Sequence, residues 1–327
     1  MKSQTSNSKK RKNIFSKIQQ SYYKPEIYAF IGVIILGAIL SVASPYFFNF
    51  NNLVNLLRQI SLNEIVATGV TFVILTGDID LSVGSIVAVS GTLFAGFIIN
   101  MGLPVWISII LGLGVGTAFG LLNGIIVAYT RVPAIIVTLG MMTIARGSAL
   151  LYSGGYPITG LPESVEFIGR GYIGPIPVPV VIMGLILIIG GIVLTQTKFG
   201  RYIYALGGNA ETVRLAGISV KKIKIKIFMI SGFLSAVSGL IVAARLSSGQ
   251  PSAAQGWELT AIAATVVGGT SIMGGRGTVV GTLIGAVIIG TITNGLNLMN
   301  VSPYMQEVVR GAVIIIAVLV RSGLAKK

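Results

Sequence analysis

Two carboxylates two residues apart, Asp78 and Asp80, stand in the string TGDIDLSVGS, with Gly77 and Gly84 on either side. A charged group at the centre of a bilayer costs at least ~2.5 kcal/mol, so acids between apolar segments stay near an interface or face protein. Three roles are open to this pair. Asp80 or Ser82 can accept amide hydrogen bonds at the start of the next helix, as Asp and Ser do at helix N-termini. The pair can form an inner gate or meet a cytoplasmic partner at a helix break that the glycines allow. Coupling-ion binding is the third role, disfavoured because the acids fall near the cytoplasmic end of their span and not at the midplane.

Other chemistry is excluded by what the chain lacks. It has no cysteine, hence no disulfide or thiolate metal site, and no histidine, the commonest metal ligand and general base. No GxxxxGK[ST] string occurs, so a nucleotide that drives this protein binds to another polypeptide. No catalytic constellation and no metal site are expected.

A neutral, hydroxyl-rich solute would need a path of polar groups, for which Asn63, Glu64, Asn123, Thr138, Asn294 and Asn297 are the candidates. Each one alone reads equally as an interhelical hydrogen bond. Arg146 and Arg310 have long apolar flanks and must meet acids or carbonyls inside the bundle, with Glu307 one turn from Arg310. Arg58, Arg170 and Arg245 with Glu163, Glu166 and Glu258 are expected on the outer face. They form either solvated loops or a dock for an external solute receptor.

The elements that must position these residues are apolar. Of 327 residues, 53% are hydrophobic and 10% charged, which identifies an all-α, polytopic integral membrane protein. The net charge of +15 is topogenic: 19 of 24 cations fall in segments placed on one side, which the excess of Lys and Arg marks as cytoplasmic. No basic folded module or interleaved aromatic pattern points to nucleic acid. Residues 1–26 read as a basic cytoplasmic tail, 27–321 as the transmembrane domain and 322–327 as a cytoplasmic C-terminal tail. Residues 1–44 do not read as a cleaved signal, because the apolar run is long and Pro45 follows Ala43 and Ser44.

About ten spans are expected, near 27–44, 62–76, 83–99, 105–129, 134–152, 180–194, 227–246, 259–272, 278–296 and 305–320. The eighth is short enough to be broken or re-entrant. An amphipathic outer stretch, FFNFNNLVNLLRQ, is expected between the first two. Gly112, Gly116, Gly120 and Gly124 recur every fourth residue and share a face, suited to close packing within one subunit or to a dimer contact. Glu64 and Glu258 each precede a short apolar segment and a Gly-rich inner break, a loose sign of duplicated halves in which both acids lie outward.

Residues 196–226 form a basic loop, with seven Lys or Arg against the single acid Glu211. Asn209 can cap a short helix there, Glu211 suits its positive end and Gly217 can stop it. A docked helix between spans is what a membrane subunit needs if a cytoplasmic motor is to push on it.

The strings LRQIS, GVTFVILTGDIDLSVGSIVAVSG, GRYIYALGGNAETVRLAGISVKKIKI, ARLSSGQPSA, ELTAIAATVVGGTSIMGGRGTVVGTLIGAVIIG and NGLNLM resemble the membrane permease subunit of bacterial ABC importers for ribose and related monosaccharides. The resemblance covers nearly the whole chain after Ser44. It implies a homodimeric pore in the bacterial cytoplasmic (inner) membrane, with both termini cytoplasmic. It also implies an external sugar-binding protein and a cytoplasmic ATPase with two fused nucleotide-binding halves, which holds the ATP and Mg. The family's coupling segment falls on Gly200 to Lys222, including Arg201, Gly207, Gly208, Ala210, Arg214 and Leu215, with 210–216 as the docked helix. Asp78 departs from the small residue usual in that family. The competing expectations are an ion-coupled secondary sugar transporter, which would work alone, and a membrane scaffold or receptor, which would carry no solute.

Overall fold

A computed structural model of the chain describes residues 25–325. The basic residues from Lys2 to Lys24, together with Lys326 and Lys327, lie outside that range. The described residues form thirteen helices in chain order: α1 (Pro25–Ala43), α2 (Phe50–Leu75), α3 (Val83–Ile99), α4 (Val105–Tyr129), α5 (Ala134–Ser153), α6 (Glu163–Arg170), α7 (Val178–Gln196), α8 (Lys198–Gly208), α9 (Ala210–Leu215), α10 (Val220–Leu246), α11 (Trp257–Val267), α12 (Val279–Leu298) and α13 (Pro303–Ala325). Two-residue strands close the loops at one end. Ile158–Thr159 pairs antiparallel with Ser248–Gly249, and Tyr172–Ile173 with Ile176–Pro177.

Each expected span overlaps a helix, the eighth only as far as Val267, and five of these (α4, α5, α7, α10 and α12) are long and apolar enough to cross a membrane by length and composition. The amphipathic stretch FFNFNNLVNLLRQ is continuous with the second span. Nearly all of it is the first half of α2, a 26-residue helix capped by Asn49, whose side chain accepts from the Asn51 amide at 2.9 Å. After the turn at residues 45–48 no proline interrupts the stretch, so one helix propagates from Phe50 through the polar asparagines into the apolar half. The basic region is also more ordered than a loop, since it folds into α8 and α9 back to back.

The buried axis is α10, with Ile227, Phe228, Ala236 and Ala244 fully enclosed. Against it lies the glycine face of α4. A Cβ at Gly116 would sit 2.6 Å from the Gly232 carbonyl oxygen, and one at Gly120 would strike that of Phe228. The recurring glycines therefore let two backbones touch within one subunit, where dispersion contacts hold membrane helices together. On the opposite face of α4, Trp106, Ile110 and Leu122 are exposed, as lipid-facing side chains are.

Candidate functional site

The interruption between α2 and α3 is built by Gly77, which takes φ +79°, a conformation that an L side chain resists. Asp78 then turns to the basic start of α10, where Lys224 Nζ lies 2.8 Å from its carboxylate in a largely buried ion pair. Asp80 is fully buried. It accepts from the Ser82 amide at 3.0 Å, the Ser82 hydroxyl at 2.6 Å and the Ser231 hydroxyl at 2.9 Å. A buried carboxylate without such donors would carry a large desolvation cost.

These partners set the depth of the two acids. Lys224 is four residues into α10 and Ser231 eleven, so at 1.5 Å per residue the two acids are held from levels of that helix about 10 Å apart. Asp78 thus stays beside the basic start of α10, whereas the extended residues after it turn Asp80 into the bundle. Capping is also divided differently. Ser82 occupies the N-cap position of α3 without using its side chain as a cap, and Asp80 takes the Ser82 amide instead. The Ser82 hydroxyl accepts from Asn123 Nδ2 at 2.8 Å, and Thr138 donates to the Ile79 carbonyl at 3.2 Å. The break is thus held from α4, α5 and α10 together. At Gly84 an added Cβ would collide with the Glu258 carboxylate and the Ala254 carbonyl.

Beneath this break sits the helix pair α8–α9. Thr197 caps α8 by accepting from the Gly200 amide at 3.1 Å, and a Cβ at Gly200 would strike the Leu194 carbonyl. Ile203 and Leu206 are buried while Arg201 is exposed. The apolar positions 199, 202, 203 and 206 recur at helical spacing, a signal legible in the sequence that the charge count obscured. At the end of α8, Gly207 presses its Cα against the Leu75 carbonyl and the Gly275 amide, whereas Gly208 has open space beside it. The Gly275 amide itself donates to the Leu75 carbonyl at 2.9 Å, and Tyr204 Oη donates to the Gly277 carbonyl at 2.8 Å. The end of α2, the Gly-rich turn 268–278 and the end of α8 therefore meet at one point.

Asn209 accepts from the Thr212 amide at 3.0 Å and caps α9 as its position suggested. Within α9, Arg214 Nε donates to Glu211 at 2.9 Å, and this bond holds the Glu211 carboxyl below the usual carboxylate range. Val213 is buried and anchors α9. Leu215 is 76% exposed, with Ala210 and Arg214 also outward. Gly217, at φ +75°, ends the unit and turns the chain into α10.

The six polar pathway candidates do not form one lining. Asn294 exchanges hydrogen bonds with Asn52 at 2.8 and 3.1 Å, and Asn297 accepts from Gln306 at 2.8 Å. Asn123 and Thr138 belong to the α2–α3 break, and Asn63 stands partly buried on α2. Glu64 is a correction to the outward-acid reading, since it is fully buried in mid-α2 and accepts from Thr68 at 3.1 Å. Interhelical pairing takes up Asn294 and Asn297, whereas Asn63 Oδ1, Glu64 Oε2 and Asn123 Oδ1 are buried without a hydrogen-bond partner among the described residues.

The charged residues divide as well. Arg58 donates to the Arg170 carbonyl at 3.0 Å, Arg170 to that of Arg245 at 2.7 Å, and Arg170 pairs with Glu166 at 3.3 Å. Arg310 pairs with Glu307 at 3.0 Å, as their spacing suggested. Glu258 leaves the outer group expected for it and lines a cavity with Arg146.

Apolar helices around a buried axis, interrupted elements meeting inside the bundle and a polar helix pair at one end define a multi-pass membrane permease. The chain belongs to the family described as branched-chain amino acid transport system / permease component, which it matches over residues 52–318. It is 48% identical to the ribose import permease protein RbsC of Haemophilus influenzae, covering 97% of this chain and 99% of that protein. It is also 48% identical to RbsC of Bacillus subtilis, covering 89% and 90% of the two chains. The L-arabinose transport system permease protein AraH of Escherichia coli is 39% identical over 88% of this chain and 89% of its own length. No solved structure matches the chain.

Proposed function

We propose that this chain is the transmembrane subunit of an ABC-type importer, forming the path for ATP-driven uptake of ribose or a related monosaccharide handed over by an external binding protein. Two copies form the pore in the bacterial inner membrane with both termini cytoplasmic. Residues 27–321 make the permease domain, flanked by cytoplasmic tails. A cytoplasmic ATPase with two fused nucleotide-binding halves holds ATP and Mg, so the permease itself is not an enzyme.

The observation that carries the coupling role is α9, whose exposed Leu215 and Arg214 project from a unit fixed by Gly207 to the end of α2. ATP-driven closure of the motor displaces α9, and Gly200 to Gly217 pass that movement to the break at Gly77 to Gly84. The relatives named for ribose import support the substrate assignment.

The test is uptake of labelled ribose into sealed vesicles carrying the permease with its ATPase and binding protein. ATP-dependent accumulation is expected, and it should fall at least tenfold for Leu215→Asp, with the bundle still folded because Leu215 is outward. Accumulation by the permease alone, abolished by collapsing an ion gradient, would instead establish a secondary transporter. Unchanged uptake in Leu215→Asp would remove α9 from the coupling.

A further inference from the structure

Between α5 and the N-terminal end of α11 lies a cavity of about 400 Å³, large enough for a small organic solute. The chain enters it unusually. After α10, residues 250–256 run back into the bundle without helical structure, and α11 starts only at Trp257, an eleven-residue helix too short to span. Arg146, twelve residues into α5, fixes this descending segment by donating through Nη1 to the Pro251 and Ala253 carbonyls, both at 2.7 Å. Interrupted helices ending inside a bundle are where transporter solute sites are commonly built.

The walls carry a distinct chemistry. Ser85 is 2% exposed and lines the cavity with its hydroxyl-bearing side chain. Arg146 and Glu258 face the same space without forming an ion pair within 4 Å among the described residues, while Thr143 and Gln255 add neutral polar groups. The two formal charges cancel, so the cavity favours neither a cation nor an anion. It offers charge-assisted donors on one side and a carboxylate acceptor on the other, suited to the paired hydroxyls of a neutral polyol. Met142 and Leu150 supply an apolar wall for the carbon-bound hydrogens of such a molecule.

We infer that this cavity is a station on the solute path, in which Ser85, Arg146 and Glu258 contact the hydroxyls of a neutral monosaccharide. The inference rests on the transport reading above and gives it a location. Affinity here is weak by construction, because Arg146 and Glu258 already hold protein groups and a station must release its solute. Gly147 also lines the cavity, and its Cβ position meets no atom of another element within 4 Å, so a bulky group added there has room at the mouth of the station.

The experiment exploits the absence of cysteine from the chain. Gly147→Cys permease is assembled with its ATPase and binding protein in vesicles, then modified with a benzyl methanethiosulfonate. Gly114→Cys, an exposed glycine of α4 with equally open space outside the cavity, is the control, alongside unmodified wild type. The expected result is labelling of the introduced thiol and at least a tenfold loss of ribose uptake, with binding-protein-stimulated ATP hydrolysis retained and the Gly114 variant unaffected. Full labelling with uptake within twofold of the unmodified variant overturns the station, as does failure of the thiol to react. If Gly147→Cys is inactive before modification, Thr143→Cys is judged by the same criteria. A wild-type complex that takes up no ribose refutes the transport reading itself, an outcome distinct from transport that survives modification.

Discussion

Replacing Gly207 with alanine adds one methyl group where the end of α8 meets two backbones. The Cβ would overlap the Leu75 carbonyl oxygen and crowd the Gly275 amide, neither of which is a flexible side-chain tip that could swing aside. Relief requires separating α8 from α2 or breaking the 2.9 Å hydrogen bond between the Gly275 amide and the Leu75 carbonyl. Overpacking costs about 1–3 kcal/mol, and leaving a buried backbone group unpaired costs about 1–3 kcal/mol. The expected destabilisation is therefore about 1–3 kcal/mol by either route, concentrated where the helix pair joins the bundle. Thermal unfolding of the purified protein in detergent measures it, and the ATP hydrolysed per ribose taken up in vesicles measures coupling. Gly208→Ala is the internal control, since nothing lies within 4 Å of its added Cβ. The reasoning is refuted if Gly207→Ala matches Gly208→Ala in both unfolding temperature and coupling.

Three further outcomes follow from the same contacts. Asp78→Asn should cost about 1–3 kcal/mol by stranding the partly buried Lys224, and adding Lys224→Met should restore part of it; a double-mutant cycle with no interaction energy would contradict the ion pair. Asp80→Ala removes the acceptor for the Ser82 amide, the Ser82 hydroxyl and the Ser231 hydroxyl at once, and should lower stability by about 3 kcal/mol or more, read by thermal unfolding. Gly120→Val should force α4 from α10 and reduce the folded yield severalfold, whereas Gly114→Val on the exposed face of α4 should leave it unchanged, as fluorescence-detected gel filtration would show.

Helix positions were legible in this sequence because twenty apolar residues leave few alternatives in lipid, where each backbone amide must bond within its own segment. The cap at Asn209, the stop at Gly217 and the pair Glu307–Arg310 were legible for a similar reason, since each is a contact between residues within one helical turn. Depth was not legible. Asp78 and Asp80 are two residues apart, yet one faces the basic end of α10 and the other a serine about 10 Å further in. Nothing in the local sequence distinguishes an extended segment that climbs from one that lies flat. The partners of the polar pathway set were hidden in the same way, since only the fold shows that Asn294 faces Asn52. Glu258 and Arg146 could not be placed together for want of any sequence periodicity in residues 250–256, which carry one to the other.

The contacts at Gly207 bear on how a push on α9 could reach the bundle. Side chains at helix contacts can absorb a displacement by changing rotamer, so a lever built from them loses much of its stroke. At Gly207, Leu75 and Gly275 the touching atoms are backbone, and packed backbone is nearly incompressible. Two residues after Leu75, Gly77 begins the interruption, and a Cβ at Gly274 would lie 2.8 Å from the Gly77 amide nitrogen. A movement of α9 would thus arrive at the start of the break with little attenuation. It could not continue as a simple tilt of α3, because Asp80 and Ser82 hold that segment to α10 and α4. The break must then either carry α4 and α10 along as one body or exchange its hydrogen bonds for another set. The glycine face between α4 and α10 favours the first, since those two helices are locked backbone to backbone from Gly116 to Gly124 against Ile225 to Gly232.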